Sequence, residues 1–258
     1  MDWSRAKSIL IATFFILDLF LGLQLSQMMQ TQSKIIREDQ INRKQIEQLL
    51  DQVHVNARLD QLEKKDYPGQ LTVYKAMISE LGNPWVKEKQ GSYIQTFSPG
   101  LPFQNEQDLT RILNQQIPFF QDFRYFKAFS SDKKRVYVQV VDQIPLFNGK
   151  VEVHLNGKQI EAIRVLHFNH LEKLSSVSAV NLRTALYRLI TNWEFNNNTT
   201  INDANIAYRS KLYNSVNNEH ILLPYWYFEV GSDYLLIQAN NRGQNEGVEK
   251  IPIKQGNE

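Results

Sequence analysis

Residues 1–24 read MDWSRAKSILIATFFILDLFLGLQ, a short basic head and then one apolar run interrupted by a single carboxylate, Asp18. Residues 6–25 make up about 20 positions, enough at ~1.5 Å per residue to span the ~30 Å hydrocarbon core of a bilayer as a helix. Only this segment of the chain can cross a membrane as a helix, so the rest must fold in water.

A cleaved secretory signal also begins with positive charge and an apolar core. Here the run is longer than such a core, and the following SQMMQTQSK has no small-x-small cleavage site. The sequence therefore favours a retained signal anchor over residues 9–26 behind a cytoplasmic head of residues 1–8. Arg5 and Lys7 precede the span and the next basic residue is Lys34, which keeps the N-terminus in the cytoplasm and the remainder outside, as a single-pass protein of the cell membrane.

A carboxylate near the bilayer centre costs ~3 kcal/mol on insertion scales. The dozen or so Leu, Ile and Phe residues around Asp18 each contribute roughly 0.3–0.6 kcal/mol in the other direction, so the helix still inserts. Asp18 could be protonated and bonded to its own backbone. The favoured reading is a contact with a polar group on another membrane helix, with Phe14, Leu21, Gly22 and Leu25 on the same face at helical spacing.

Residues 27–66 are rich in Gln and charge, with Ile46, Leu49, Leu50, Val53 and Ala57 spaced along one helical face and no Pro or Gly before Pro68. They read as a helical stalk whose stripe is too thin for a sustained coiled coil, one that could pack on the globular part or on a partner helix. Beyond it the pattern predicts helices over 71–81 and 106–116, the second capped by Asn105, then a three-strand antiparallel meander over 135–168. Asn148-Gly149 and Asn156-Gly157 bracket residues 150–155 and predict type I′ turns. A long helix over 175–192 buries Leu182, Ala185, Leu186, Leu189 and Ile190, and strands follow over 205–213, 222–230 and 234–239. Helix followed by antiparallel strands thus occurs twice, which predicts an α+β fold of two small lobes, residues 67–142 and 143–258.

Chemistry is sparse. The chain has no Cys, which removes disulfides and thiolate metal sites, and its net charge of +2 with interspersed charges excludes a nucleic-acid footprint. It carries no phosphate loop, no G-x-S-x-G and no H-E-x-x-H, so neither a catalytic constellation nor a cofactor site is expected. His167 and His170 in HFNH straddle a strand end without a carboxylate at ligand spacing, and read as ordinary hydrogen-bonded or surface histidines rather than metal ligands. The run Pro224-Tyr225-Trp226-Tyr227-Phe228 reads as core packing, with partner docking as the sharper alternative; Trp85 carries the same two readings.

The MDW start, then SRAKSILI, FFILDLFLG and Gln24, resembles the opening of the YycI (WalI) family, the membrane-anchored accessory proteins of the WalK/WalR (YycG/YycF) two-component system of low-GC Gram-positive bacteria. Chain length and the single N-terminal anchor agree with that family along nearly the whole chain. The resemblance implies a non-enzymatic regulator that acts with the anchored protein YycH on the sensor histidine kinase WalK, adjusting cell-wall metabolism, and lobes like those of YycH. A bitopic envelope or division scaffold fits the same layout, and an anchored wall enzyme or ligand-binding domain fits it less well.

Overall fold

The computed structural model describes residues 13–14, 17–18, 20–24, 41–196, 198–214, 218–240 and 247–253. The chain divides into two compact units, Met1–Arg43 and Lys44–Glu258. In the first, the described residues 13–14, 17–18 and 20–24 are helical and exposed. Among the described residues no helix is long and apolar enough to cross a membrane, and the segment read as a span lies only partly within them.

Helix α1 (Arg43–Gln52) buries Ile46 and Leu50, two members of the stripe seen in the sequence. The helix does not run on to Asp66. His54 takes a left-handed backbone (φ 53), and strand β1 (Val55–Ala57) then runs parallel to residues 199–201. Val53 and Val55 are β-branched and prefer an extended chain once a strand is available to pair with. A single helical turn, α2 (Leu59–Leu62), buries both of its leucines.

Residues 71–81, expected as a helix, instead form strand β2 (Gln70–Ile78), which buries Leu71, Val73, Ala76 and Ile78. Its partner, β9 (Phe168–Ser178), pairs along it with register shifts at Val73/Tyr74 and at Lys75/Met77. The alternation of buried residues slips there, and in sequence that slip imitates a helical period. The same strand β9 claims residues 175–178, so the helix expected over 175–192 starts only at α4 (Leu182–Asn192), capped by the Asn181 side chain on the Thr184 N–H at 2.9 Å. All five residues expected on its buried face are buried. Helix α3 (Glu106–Gln116) lies where the sequence put it, with Asn105 Oδ1 accepting from the Asp108 N–H at 3.0 Å.

The meander consists of β6 (Lys134–Val141), β7 (Ile144–Asn156) and β8 (Gln159–Leu166), antiparallel throughout. Its first turn falls at Asp142-Gln143, both at positive φ (48 and 66), not at Asn148-Gly149. Asn148-Gly149 lies inside β7, where the register against β6 shifts between Gln139/Leu146 and Val138/Lys150. That irregularity redirects the strand. Leu146 is paired with Tyr208 of β10 (Thr199–Asn214), whereas from Lys150 onward β7 pairs with β8.

Short strands β3 (Val86–Lys87) and β5 (Phe123–Tyr125), long strand β4 (Tyr93–Pro102), and β11 (Glu219–Val230), β12 (Asp233–Gln238) and β13 (Glu249–Pro252) complete a mixed sheet of 13 strands. The fold is a sheet-rich α+β arrangement. Residues 67–142 and 143–258, expected as separate lobes, share this sheet, because the β6–β7 hairpin spans 142/143 and β2 pairs with both β9 and β11. One face of the meander is covered by α3, through Leu109, Ile112 and Leu113 against Val151, Val153, Ile163 and Val165. A second, aromatic cluster gathers Phe129, Phe147, Tyr225, Tyr227 and Tyr234.

Candidate functional site

Of the residues read as a partner-binding face, Phe14, Asp18, Leu21 and Gly22 are helical and solvent-exposed, and Leu25 lies outside the described residues.

The aromatic run of β11 is core on both faces. Tyr225 and Tyr227 join the aromatic cluster, while Trp226 packs edge-on against Tyr67 at 4.7 Å and stacks on Phe228. Trp85 is half-buried against the α3 cluster. The β11 aromatics stabilise the fold from within its core.

His167 and His170 do not converge. His170 is exposed at positive φ, while His167 is 6% exposed and lies between Ser79, whose Oγ is 2.6 Å from Nδ1, and Asp122, whose Oδ2 is 3.0 Å from Nε2. Burial pushes His167 below its ordinary value, against the pull of Asp122, so the ring is neutral at pH 7. Nε2–H then donates to Asp122 and Nδ1 accepts from the Ser79 hydroxyl. The trio has the composition of a hydrolytic triad, but Phe119 stacks on the imidazole at 3.8 Å and Ser79 is 5% exposed, which leaves no approach for a substrate carbonyl. Among the described residues no group of His, Asp and Glu could hold a metal ion.

Burial also depresses His154 and His220 below the usual value near 6.5. A histidine with a lowered folded pKa takes up its proton more readily in the unfolded chain, so stability is intact above pH ~6.5 and falls as pH drops below it. The unfolding free energy is expected to decline between pH 7.5 and 5, with a slope of at most ~1.4 kcal/mol per pH unit for each such histidine. Among the described residues neither ring nitrogen of His220 has a hydrogen-bond partner, and its ring meets Phe168 edge-on at 5.2 Å. His220→Phe should therefore flatten part of this dependence without loss at pH 7.5, as read by urea midpoints at the two pH values.

One concavity is built from side chains that the sequence did not bring together. Where β7 leaves β10 for β8, a cleft of about 760 Å³ opens, floored by Phe147 and Leu166. Asn148 bridges its head by accepting the Ser210 N–H at 2.8 Å. Arg164 of β8 crosses the cleft wall to Glu88, at 2.8 and 3.2 Å, and to Glu152, at 3.5 Å; Ser92 also donates to Glu88 at 2.6 Å. These contacts hold the Glu88 carboxyl below the ordinary carboxylate range and raise the guanidinium. Arg209 of β10 reaches Glu249 at 3.0 Å. Lys87 of β3, Lys89 of the following turn and Lys150 of β7 complete the lining, and none of the three is in an ion pair among the described residues. Five strands or turns contribute to the cleft, so no local sequence motif could have announced it.

Comparison with curated proteins returns no match. Among solved structures the chain is similar to an uncharacterized protein from Eubacterium rectale ATCC 33656, at 8% identity over 82% of this chain and 78% of that one, with a TM-score of 0.33. It is also similar to the YpeB C-terminal domain of Bacillus megaterium, at 12% identity over 82% and 98% of the two chains, again with a TM-score of 0.33. The model of the YycI protein family matches residues 24–240, which takes in the described sheet from β1 to β12 and most of the chain. The chain belongs to the YycI family.

Proposed function

We propose that this chain is a non-enzymatic, single-pass regulator of a sensor histidine kinase of the WalK (YycG) type, held in the cell membrane with its C-terminal region outside. It acts with YycH, through membrane-helix and extracytoplasmic contacts, to adjust control of cell-wall metabolism. The observation that carries this reading is membership of the YycI family over residues 24–240, a regulatory family associated with the YycG/WalK system. The apolar N-terminal run with its charge asymmetry supports the anchor, and the interrupting Asp18 supports a helix contact within the bilayer. In the Ser79–His167–Asp122 trio the hydroxyl and the imidazole are buried, so this set of groups does not support a hydrolytic reading.

In this mechanism the Asp18 face binds one of two arrangements of the kinase membrane helices more tightly and so shifts their balance. Asp18→Leu should reduce recovery of the kinase by roughly five- to thirtyfold, the equivalent of ~1–2 kcal/mol for one interhelical polar contact. Anchoring should be unchanged or stronger. The measurement is affinity capture of the full chain from membranes after crosslinking in cells. Equal kinase recovery by wild type and variant would rule out the membrane contact, and capture of division proteins with no kinase would favour the scaffold.

A further inference from the structure

We propose that the cleft at the strand switch of β7 binds a small organic polyanion, a hydroxyl-bearing molecule with two or three phosphate or carboxylate groups. The site stands independently of the kinase reading. Five basic side chains line the cleft against two carboxylates, Glu88 and Glu152, and both carboxylates are already engaged by Arg164. Arg209 is likewise engaged, by Glu249. With Glu249 these five bases face three carboxylates, so two positive charges are in excess, and the three lysines converge from three separate elements on one concavity.

Lys150 is the informative member. Its ammonium lies 4.5 Å from the centroid of the Phe129 ring, and surrounding apolar groups lower its pKa by desolvation, with Glu152 pulling the other way. A lysine whose only purpose was solubility would extend its ammonium into water, as the stem allows. Lys150 lines the cleft from β7, whose irregularity at Asn148-Gly149 sets the strand beside β8. An oxyanion in the cleft would restore the solvation that this ammonium has lost and would meet Lys87 and Lys89 across the opening. The side-chain amides of Gln90 and Asn148 supply neutral donors for hydroxyls, and Phe147 and Leu166 supply an apolar floor. The volume of about 760 Å³ lies in the range of small-molecule sites.

The test is isothermal titration of the full chain in detergent micelles at low salt, with fructose 1,6-bisphosphate as the phosphate probe and citrate as the carboxylate probe. Saturable one-to-one binding of either is expected, and the preferred probe identifies which oxyanion the cleft takes. Lys150→Met, which keeps the stem over Phe129 and removes the charge, should weaken binding tenfold or more, whereas Lys150→Arg should retain most of it. The double substitution Lys87→Gln with Lys89→Gln, on the exposed rim, should weaken binding severalfold and provides a test even if the Lys150 variant fails to fold. Lys158→Gln, in the exposed β7–β8 turn, should leave it unchanged. Absence of saturable binding by both probes would overturn the proposal, as would equal affinity in wild type and the cleft variants.

Discussion

Trp226→Ala is expected to lower the free energy of unfolding by ~3–5 kcal/mol, among the largest losses any single truncation in this chain should cause. Trp226 sits in the middle of β11, opposite Ile206 of β10 on one side and Ile237 of β12 on the other, and is 1% exposed. Its indole N–H donates to the Val180 carbonyl at 3.1 Å, in the segment that leads into α4. Tyr67 closes on it edge-to-face, and the Tyr67 hydroxyl donates to the Leu62 carbonyl at 3.0 Å. The one ring therefore joins the α2 segment, the sheet and the approach to α4. Its removal leaves a cavity and takes away the donor that the Val180 carbonyl now has, two separate costs. Trp226→Phe should recover the packing and lose the hydrogen bond, for a penalty of ~1–3 kcal/mol. Urea unfolding of the two variants at pH 7.5 separates these contributions; a loss below ~1 kcal/mol for the alanine variant would mean that the site collapses around the deletion.

What can be read from the sequence divides along a physical line. Elements whose signal is local are legible: Asn105 caps a helix with its own side chain, and Val136 and Val138 share one face of β6, although Tyr137 and Gln139 beside them are buried as well. Elements decided by a distant partner are not. Residues 53–57 continue a helical pattern, yet the parallel edge of β10 captures them. Strand β2 reads as a helix because its register slips against β9, a strand with almost no buried face of its own to betray it. The two Asn-Gly pairs are equivalent in sequence, and only 156–157 marks a reversal. Asp142-Gln143 has already turned the chain, so Asn148-Gly149 is free to shift register within β7. The same division holds for the sites. His167 reads as an ordinary surface or hydrogen-bonded histidine, but its partners Ser79 and Asp122 lie 88 and 45 residues away from it. The basic cleft draws its charges from four strands and a turn that are far apart in sequence.

Gln139 should prove as costly to replace as the core aromatics, although it is polar. It is 2% exposed, its Nε2 donates to the Phe168 carbonyl at 2.7 Å, and its Oε1 accepts the Phe168 N–H at 2.9 Å. The amide thus pairs with the first residue of β9 as a neighbouring strand would. Gln139→Leu keeps the approximate volume and leaves both backbone groups buried without partners, for a loss of ~2–5 kcal/mol. The same amide explains why residue 149 is glycine. A Cβ there would stand 2.5 Å from Gln139 Oε1 and 2.8 Å from Gln139 Cβ, closer than carbon atoms tolerate, and the Cβ cannot swing aside as a side-chain end could. Gly149→Ala is expected to cost ~1–3 kcal/mol through this overlap. The two changes should be non-additive in a double-mutant cycle, by ~0.5–3 kcal/mol, since residues 149 and 139 are in direct contact. Additivity in urea unfolding would show that the alanine is accommodated elsewhere. Because Asn148 and Lys150 flank Gly149, the displacement should also reach the cleft, so Gly149→Ala ought to weaken polyanion binding even under conditions where the variant remains folded, linking the register shift of β7 directly to the site that it creates.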